Sequence, residues 1–135
     1  MRAFLLDTDI CITVIRDRPS GLRPRFNEEA DRLAISTIVL GELLFGAARS
    51  ARPAEHRRQV ERFAERLDVL PFDAEAASHF ADIRADLSAR GEIIGGYDLM
   101  IAGHARSRGL TVVTHNVREF RRVQGLQVAD WLAEQ

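Results

Sequence analysis

The sequence of 135 residues contains no lysine, only one cysteine and no long apolar run. Without lysine, any mechanism that needs a catalytic lysine is excluded. The single thiol, Cys11, cannot form an internal disulfide, and a chain of this length buries roughly two-thirds of its unfolded surface without one. The expected compartment is therefore the reducing cytoplasm. Nowhere do about eighteen apolar residues follow one another, and Met1-Arg2 leads straight into Ala3-Phe4-Leu5-Leu6 rather than into the core of a secretion signal. Membrane spanning and secretion are both disfavoured. Charge of one sign is also missing: 19 basic residues face 20 acidic ones, so no basic excess announces a nucleic-acid binder. Every basic residue is an arginine, which fits either the codon bias of a GC-rich genome or a use for planar, phosphate-matching forks.

What is present, 46% apolar residues without repeats or linker-like stretches, suits one compact domain spanning 1–135. Short apolar runs at 3–6, 33–35, 69–72, 110–114 and 126–128 read as strands, with Pro71 marking an edge or an end. Between them, helices are expected just after Asp7-Thr8, over 22–31, from Ser36 or Thr37 to about Arg49, over 53–67, over 73–89 and from Tyr97 to Gly109. Strands alternating with helices argue for a parallel sheet of four to five strands covered on both faces, a three-layer α/β/α sandwich.

Most of the acids, such as Glu55, Glu61, Asp82 and Asp86, alternate with arginines on helices and read as solvated faces. Three do not. Asp7, Glu42 and Asp98 each interrupt an apolar run, where an unpaired carboxylate costs several kcal/mol. Asp7 falls at the carboxyl end of the first strand, the edge where open parallel sheets bind ligands. Asp98 falls in the first turn of a helix, where the amide dipoles favour a negative group. Asp7 and Asp98 would equally serve as helix caps, but capping cannot account for a glutamate in mid-helix. Together the three offer the hard oxygen ligands that Mg²⁺ or Mn²⁺ prefers. Zinc fits less well, because histidines 56, 79, 104 and 115 show no paired-ligand spacing. Thr8 and Thr114 place small polar groups at the same sheet edge, as does Asn116, which suits either substrate orientation or turn chemistry. On a phosphodiester substrate such a metal would polarise a phosphate oxygen and activate water for in-line attack, leaving 5′-phosphate and 3′-hydroxyl ends. Glu42 would complete the coordination directly or through a bound water. Arg16, Arg18, Arg23, Arg25, Arg118, Arg121 and Arg122 serve either an RNA backbone or surface ion pairs.

Four motifs carry a resemblance. Leu-Leu-Asp-Thr-Asp-Ile-Cys-Ile at 5–12, Ile-Ser-Thr-Ile-Val-Leu-Gly-Glu-Leu-Leu-Phe-Gly at 35–46, Gly-Gly-Tyr-Asp-Leu-Met-Ile-Ala-Gly-His-Ala at 95–105 and Val-Val-Thr-His-Asn-Val-Arg-Glu-Phe at 112–120 resemble the PIN-domain ribonuclease toxins of the VapC type. The likeness extends through 123–131. It implies a PIN-like fold, Mg²⁺ or Mn²⁺ held by Asp7, Glu42 and Asp98, and hydrolysis of RNA phosphodiesters. It also implies a VapB-type antitoxin encoded beside the toxin, a toxin homodimer and a toxin–antitoxin hetero-oligomer. Related toxins cut transfer or ribosomal RNA. Two positions depart from the family pattern: Asn116 stands where many members carry a fourth acid, and Asp9 where asparagine is usual. Asp9 reads either as an added carboxylate of the site or as a solvent-facing cap.

Rival readings are weaker. Leu-Leu-Asp-Thr-Asp also opens the haloacid-dehalogenase-type phosphatases, but those need a later basic residue, usually lysine, and a longer chain. A phosphoacceptor receiver domain likewise needs a lysine after its last strands. A catalytically inactive PIN fold used only for binding is disfavoured by the three intact acids.

Overall fold

The computed structural model describes residues 2–133. Five short strands, β1 (Phe4–Leu6), β2 (Leu33–Ser36), β3 (Asp68–Leu70), β4 (Thr111–Val113) and β5 (Val128–Ala129), form one sheet in the order β3-β2-β1-β4-β5. Every pairing is parallel. Successive side chains on a strand point to opposite faces, and Leu5 with Leu6 in β1, and Val112 with Val113 in β4, are all fully buried. Both faces of the sheet are therefore covered, as parallel sheets require, and the architecture is the expected α/β/α sandwich.

The covering helices are α1 (Thr8–Arg16), α2 (Leu22–Glu29), α3 (Thr37–Ala48), α4 (Pro53–Ala64), α5 (Ala74–Ala89), α6 (Gly96–Arg108) and the one-turn α7 (Val117–Phe120). Their ends follow capping chemistry: Asp7, Ser36 and Asp73 accept hydrogen bonds from first-turn amides, and Gly109 ends α6 in the left-handed conformation. Helices α5 and α6 approach closely, since a β-carbon on Gly103 would lie 2.6 Å from the amide nitrogen of Phe80.

The boundaries differ from expectation only locally. Residues 30–32 leave α2 as a turn of 3-10 helix, the third strand stops at Leu70 before the proline, and the last strand starts at Val128. Helix α7 was not expected, because a four-residue helix offers too few positions for a periodicity to emerge.

Chain order sets the location of the site. From β1 the chain moves outward through β2 to β3, then crosses back so that β4 lies on the other side of β1. The carboxyl ends of β1 and β4 thus border a topological switch point, where a crevice opens in folds of this kind.

Candidate active site

Asp7 follows β1 directly and caps α1, with Oδ1 accepting from the amide of Thr8 at 2.8 Å. Its Oδ2 accepts from the hydroxyl of Thr114, beyond the end of β4, also at 2.8 Å. The residue is only 7% exposed. Burial is the main reason that its pKa rises to about 6; the nearby charges of Asp9 and Glu42 add to the rise, while the bonds from Thr114 and Thr8 restrain it. Thr8 contributes its amide to this arrangement, and Thr114, fully buried, also accepts from the amide of Asn116 at 2.9 Å.

Asp98 stands in the first turn of α6 and is half-buried. Its pKa rises to about 7, first through desolvation, then through repulsion from Asp7 and through a side-chain hydrogen bond with Glu119 and that acid's charge. The side-chain nitrogen of Asn116 bonds both Asp98 and Glu119, donating to Asp98 Oδ2 at 3.1 Å and to Glu119 Oε2 at 3.0 Å. Glu42, half-buried on α3, has a pKa raised by desolvation and contributes to the field that raises Asp7. Four carboxylates from four helices or their caps therefore face one electrostatic neighbourhood, around an asparagine that bonds two of them.

Asp9 belongs to the same neighbourhood. Its Oδ2 accepts from the amide of His115 at 3.1 Å, while Oδ1 is buried without a hydrogen-bond partner. A solvent-facing cap is thus excluded for Asp9. The ring of His115 in turn meets Thr13 Oγ1 at 3.4 Å and Asp130 Oδ1 at 3.5 Å.

Glu119 is the residue that sequence reasoning passed over. Its signal was present, because Asn116 and Glu119 have the spacing of a capping box, in which a short polar residue opens a helix and an acid follows three positions later. The expected arginines divide. Arg16 lines a groove beside Glu42, whereas Arg18, Arg118 and Arg121 make no hydrogen bond or ion pair with the acids among the described residues. Arg122 is tied to the carbonyls of Glu92 and Ile93, and Arg25 lies over the ring of Trp131.

Among the described residues, no three histidine, cysteine, aspartate or glutamate side chains already stand as a metal-ligand set. The donors nevertheless fit a hard divalent cation. Mg²⁺ is commonly held by one or two carboxylates and keeps several waters, and here raised pKa values and a buried carboxylate oxygen without a hydrogen bond mark a concentration of negative charge that a divalent cation would neutralise.

The PIN domain model matches residues 4–126. The chain belongs to the PIN-domain family. Within that family it is a ribonuclease of the VapC type. It is 49% identical over 131 residues to the tRNA(fMet)-specific endonuclease VapC of Shigella flexneri, covering 97% of this chain and 99% of that protein. To ribonuclease VapC2 of Haemophilus influenzae it is 42% identical, over 98% of this chain and all of that one. Among solved structures, DNA-bound VapBC from Salmonella typhimurium superposes with a TM-score of 0.93 at 49% identity, covering 97% of this chain and 99% of its counterpart. VapBC2 from Rickettsia felis, bound to a promoter DNA fragment, gives 0.89 at 32% identity, with 95% and 98% covered. PIN-domain ribonucleases depend on divalent metal, which agrees with the donor chemistry found here. No helix of the described residues is long and apolar enough to cross a membrane.

Proposed function

We propose that this PIN domain, spanning 1–135, is the toxin of a cytoplasmic toxin–antitoxin pair and hydrolyses a phosphodiester bond of initiator tRNA with Mg²⁺ or Mn²⁺. The observation that carries the reading is the convergence of Asp7, Asp98 and Glu42 at the switch point, each with a raised pKa. The 49% identity to a tRNA(fMet)-specific relative over nearly the whole chain supports the choice of RNA.

Asp7 and Asp98 would hold the metal, with Glu42 as the third acid. When bound, the cation supplies a Lewis acid for the scissile phosphate and lowers the pKa of water. The chain's own residues arrange the charge. Thr114 fixes Asp7 by donating to one oxygen, and the amide of Thr8 fixes the other. Asn116 donates to both Asp98 and Glu119, offsetting part of the repulsion between two acids that stand close enough to hydrogen-bond each other. Asn116 thereby acts as a positioning residue rather than as a fourth acid; Glu119 supplies that carboxylate one helical turn later.

A VapB-type antitoxin is the proposed partner, and relatives of known structure are VapBC complexes. A groove of about 140 Å³ lined by Ile12, Leu43, Ala47 and Val60, with Glu42 and Arg16 on its rim, offers an apolar seat next to the acids. An antitoxin tail bound there would present an arginine or lysine to the carboxylates. A homodimer within the hetero-oligomer is the assembly that the family resemblance implies.

The test is incubation of antitoxin-free protein with initiator tRNA and an elongator tRNA, in Mg²⁺ and in excess chelator. Cleavage of the initiator, only with metal and leaving a 5′-phosphate, is expected. Intact tRNA under every condition would overturn the reading.

A further inference from the structure

On the flank of the molecule, between α1, α2 and α4, lies a cavity of about 440 Å³ lined by Arg23, Arg62, Arg66, Asn27, Gln59 and the apolar floor of Val14, Ile15 and Phe63. Three arginines line the cavity and no acid does. Two of the three are fixed. Arg23 donates from Nε to the carbonyl of Val14 and from Nη2 to that of Ile15, both at 2.9 Å, at the carboxyl end of α1 where a cation is favoured. Its remaining Nη1 has only Asp17 near it, at 3.9 Å. Arg66 donates to Asn27 Oδ1 and lies over the ring of Phe26, 4.9 Å from its centroid. Arg62, exposed on α4, has no hydrogen bond or ion pair among the described residues.

Among the described residues, Arg62 and Arg66 face no acid and Arg23 has only its 3.9 Å contact with Asp17, whereas Arg52, Arg57 and Arg90 pair with acids on their own helices or loops. Gathering three cations around one hollow costs repulsion that an anion would relieve. Guanidinium forks match phosphate oxygens, and two of these are already immobilised, so little side-chain freedom remains to be lost on binding. The hollow also communicates with the active site: Ile15 and Gln59 line both it and the groove that ends at Glu42. Helix α1, which starts at the capping Asp7, ends at the carbonyls that hold Arg23, about 13 Å away for nine residues.

We propose that this cavity binds a backbone phosphate of the RNA substrate, distant from the bond that is cut, with Arg62 as the free ligand and Arg23 and Arg66 as fixed ones. The inference rests on the ribonuclease reading and extends it to a second contact, which would set how the RNA lies across the acids. An acidic segment of a protein partner is the competing occupant. RNA is favoured because three arginines and no acid line the cavity, and because forks of this kind bind phosphate in two-pronged fashion.

The experiment measures binding of fluorescein-labelled initiator tRNA by anisotropy in excess chelator, so that no cleavage intervenes, over a series of KCl concentrations. Wild type, Arg62→Ala, Arg62→Glu, Arg66→Lys and a control, Arg84→Ala on α5 outside the cavity, are compared. Arg62→Ala is expected to weaken binding roughly fivefold and to reduce the slope of log affinity against log salt by about 0.7 to 0.9, the signature of one lost phosphate contact. Arg62→Glu should weaken it further, and Arg84→Ala should match wild type. Unchanged affinity and slope in both Arg62 variants, while wild type binds and cleaves the tRNA, would overturn this inference and leave the ribonuclease reading standing. If the Arg62 variants lose only the antitoxin, the cavity belongs to the protein partner and the inference is again overturned. If wild type neither binds nor cleaves tRNA, the functional reading falls and takes the inference with it.

Discussion

The hydroxyl of Thr114 donates to Oδ2 of Asp7 at 2.8 Å, joining the residues that follow two neighbouring strands. The bond is buried, and it holds down the pKa of a carboxyl that desolvation pushes up. Thr114→Val keeps the shape and removes the donor. A hydrogen bond to a charged group contributes about 1.5 to 3 kcal/mol, and the amide of Asn116 loses its acceptor as well, so unfolding by urea should show a loss of about that size. Asp7 should also hold its proton to higher pH, moving the rising limb of the pH–rate profile upward. An unchanged profile would show that Thr114 does not tune Asp7.

The metal-free protein should become less stable as pH rises through neutrality. Asp7 and Asp98 have pKa values of about 6 and 7, against an ordinary 3.8. The folded state therefore retains protons that the unfolded chain has released. The contribution of these groups is complete below the ordinary value and is lost as pH rises through 6 to 7. In excess chelator the melting temperature should drop between pH 5 and pH 8, and Asp98→Asn should flatten that drop because its amide does not titrate. A drop of equal depth in both proteins would remove Asp98 from the explanation.

His104 produces the opposite slope. It is fully buried on α6, its ring meets Phe72 edge-on at 5.6 Å, and neither ring nitrogen has a hydrogen-bond partner. Burial, followed by repulsion from Arg108, lowers its pKa below the ordinary 6.5. The unfolded chain then binds the proton first, so the stability tied to this group is present above 6.5 and lost as pH falls toward the lowered value. A buried polar group without a partner costs about 1 to 3 kcal/mol. His104→Leu should raise stability by about 1 kcal/mol at neutral pH and by more at pH 5. A loss at both pH values would mean that ring packing outweighs the missing hydrogen bonds.

Much of the fold was legible because its strands are short apolar runs bounded by capping residues or turns. Asp7 and Asp98 stood out because a carboxylate amid leucine and isoleucine has no cheap structural explanation, and Glu42 because no cap requires it. Glu119 stayed hidden since it sits in Val-Arg-Glu-Phe, where an acid beside an arginine reads as ordinary surface. Only the crossing of the chain from β3 to β4 brings α7 against α6 and turns that acid toward Asp98. The same limit applies to Arg62. Its place in the flank cavity depends on the packing of α4 against α1, which no local pattern encodes.

The central claim is that Asp7 and Asp98 share a divalent cation, and a pair of melting curves on wild type and on Asp98→Asn, with chelator and with millimolar Mn²⁺, tests it most directly. A ligand that binds only the folded state stabilises it by about 2.7 kcal/mol when its free concentration is a hundredfold above its dissociation constant. Wild type should gain a clear upward shift from Mn²⁺, and Asp98→Asn should keep little of it while melting higher than wild type in chelator. Equal Mn²⁺ shifts in the two proteins would contradict the claim and the hydrolytic mechanism built on it.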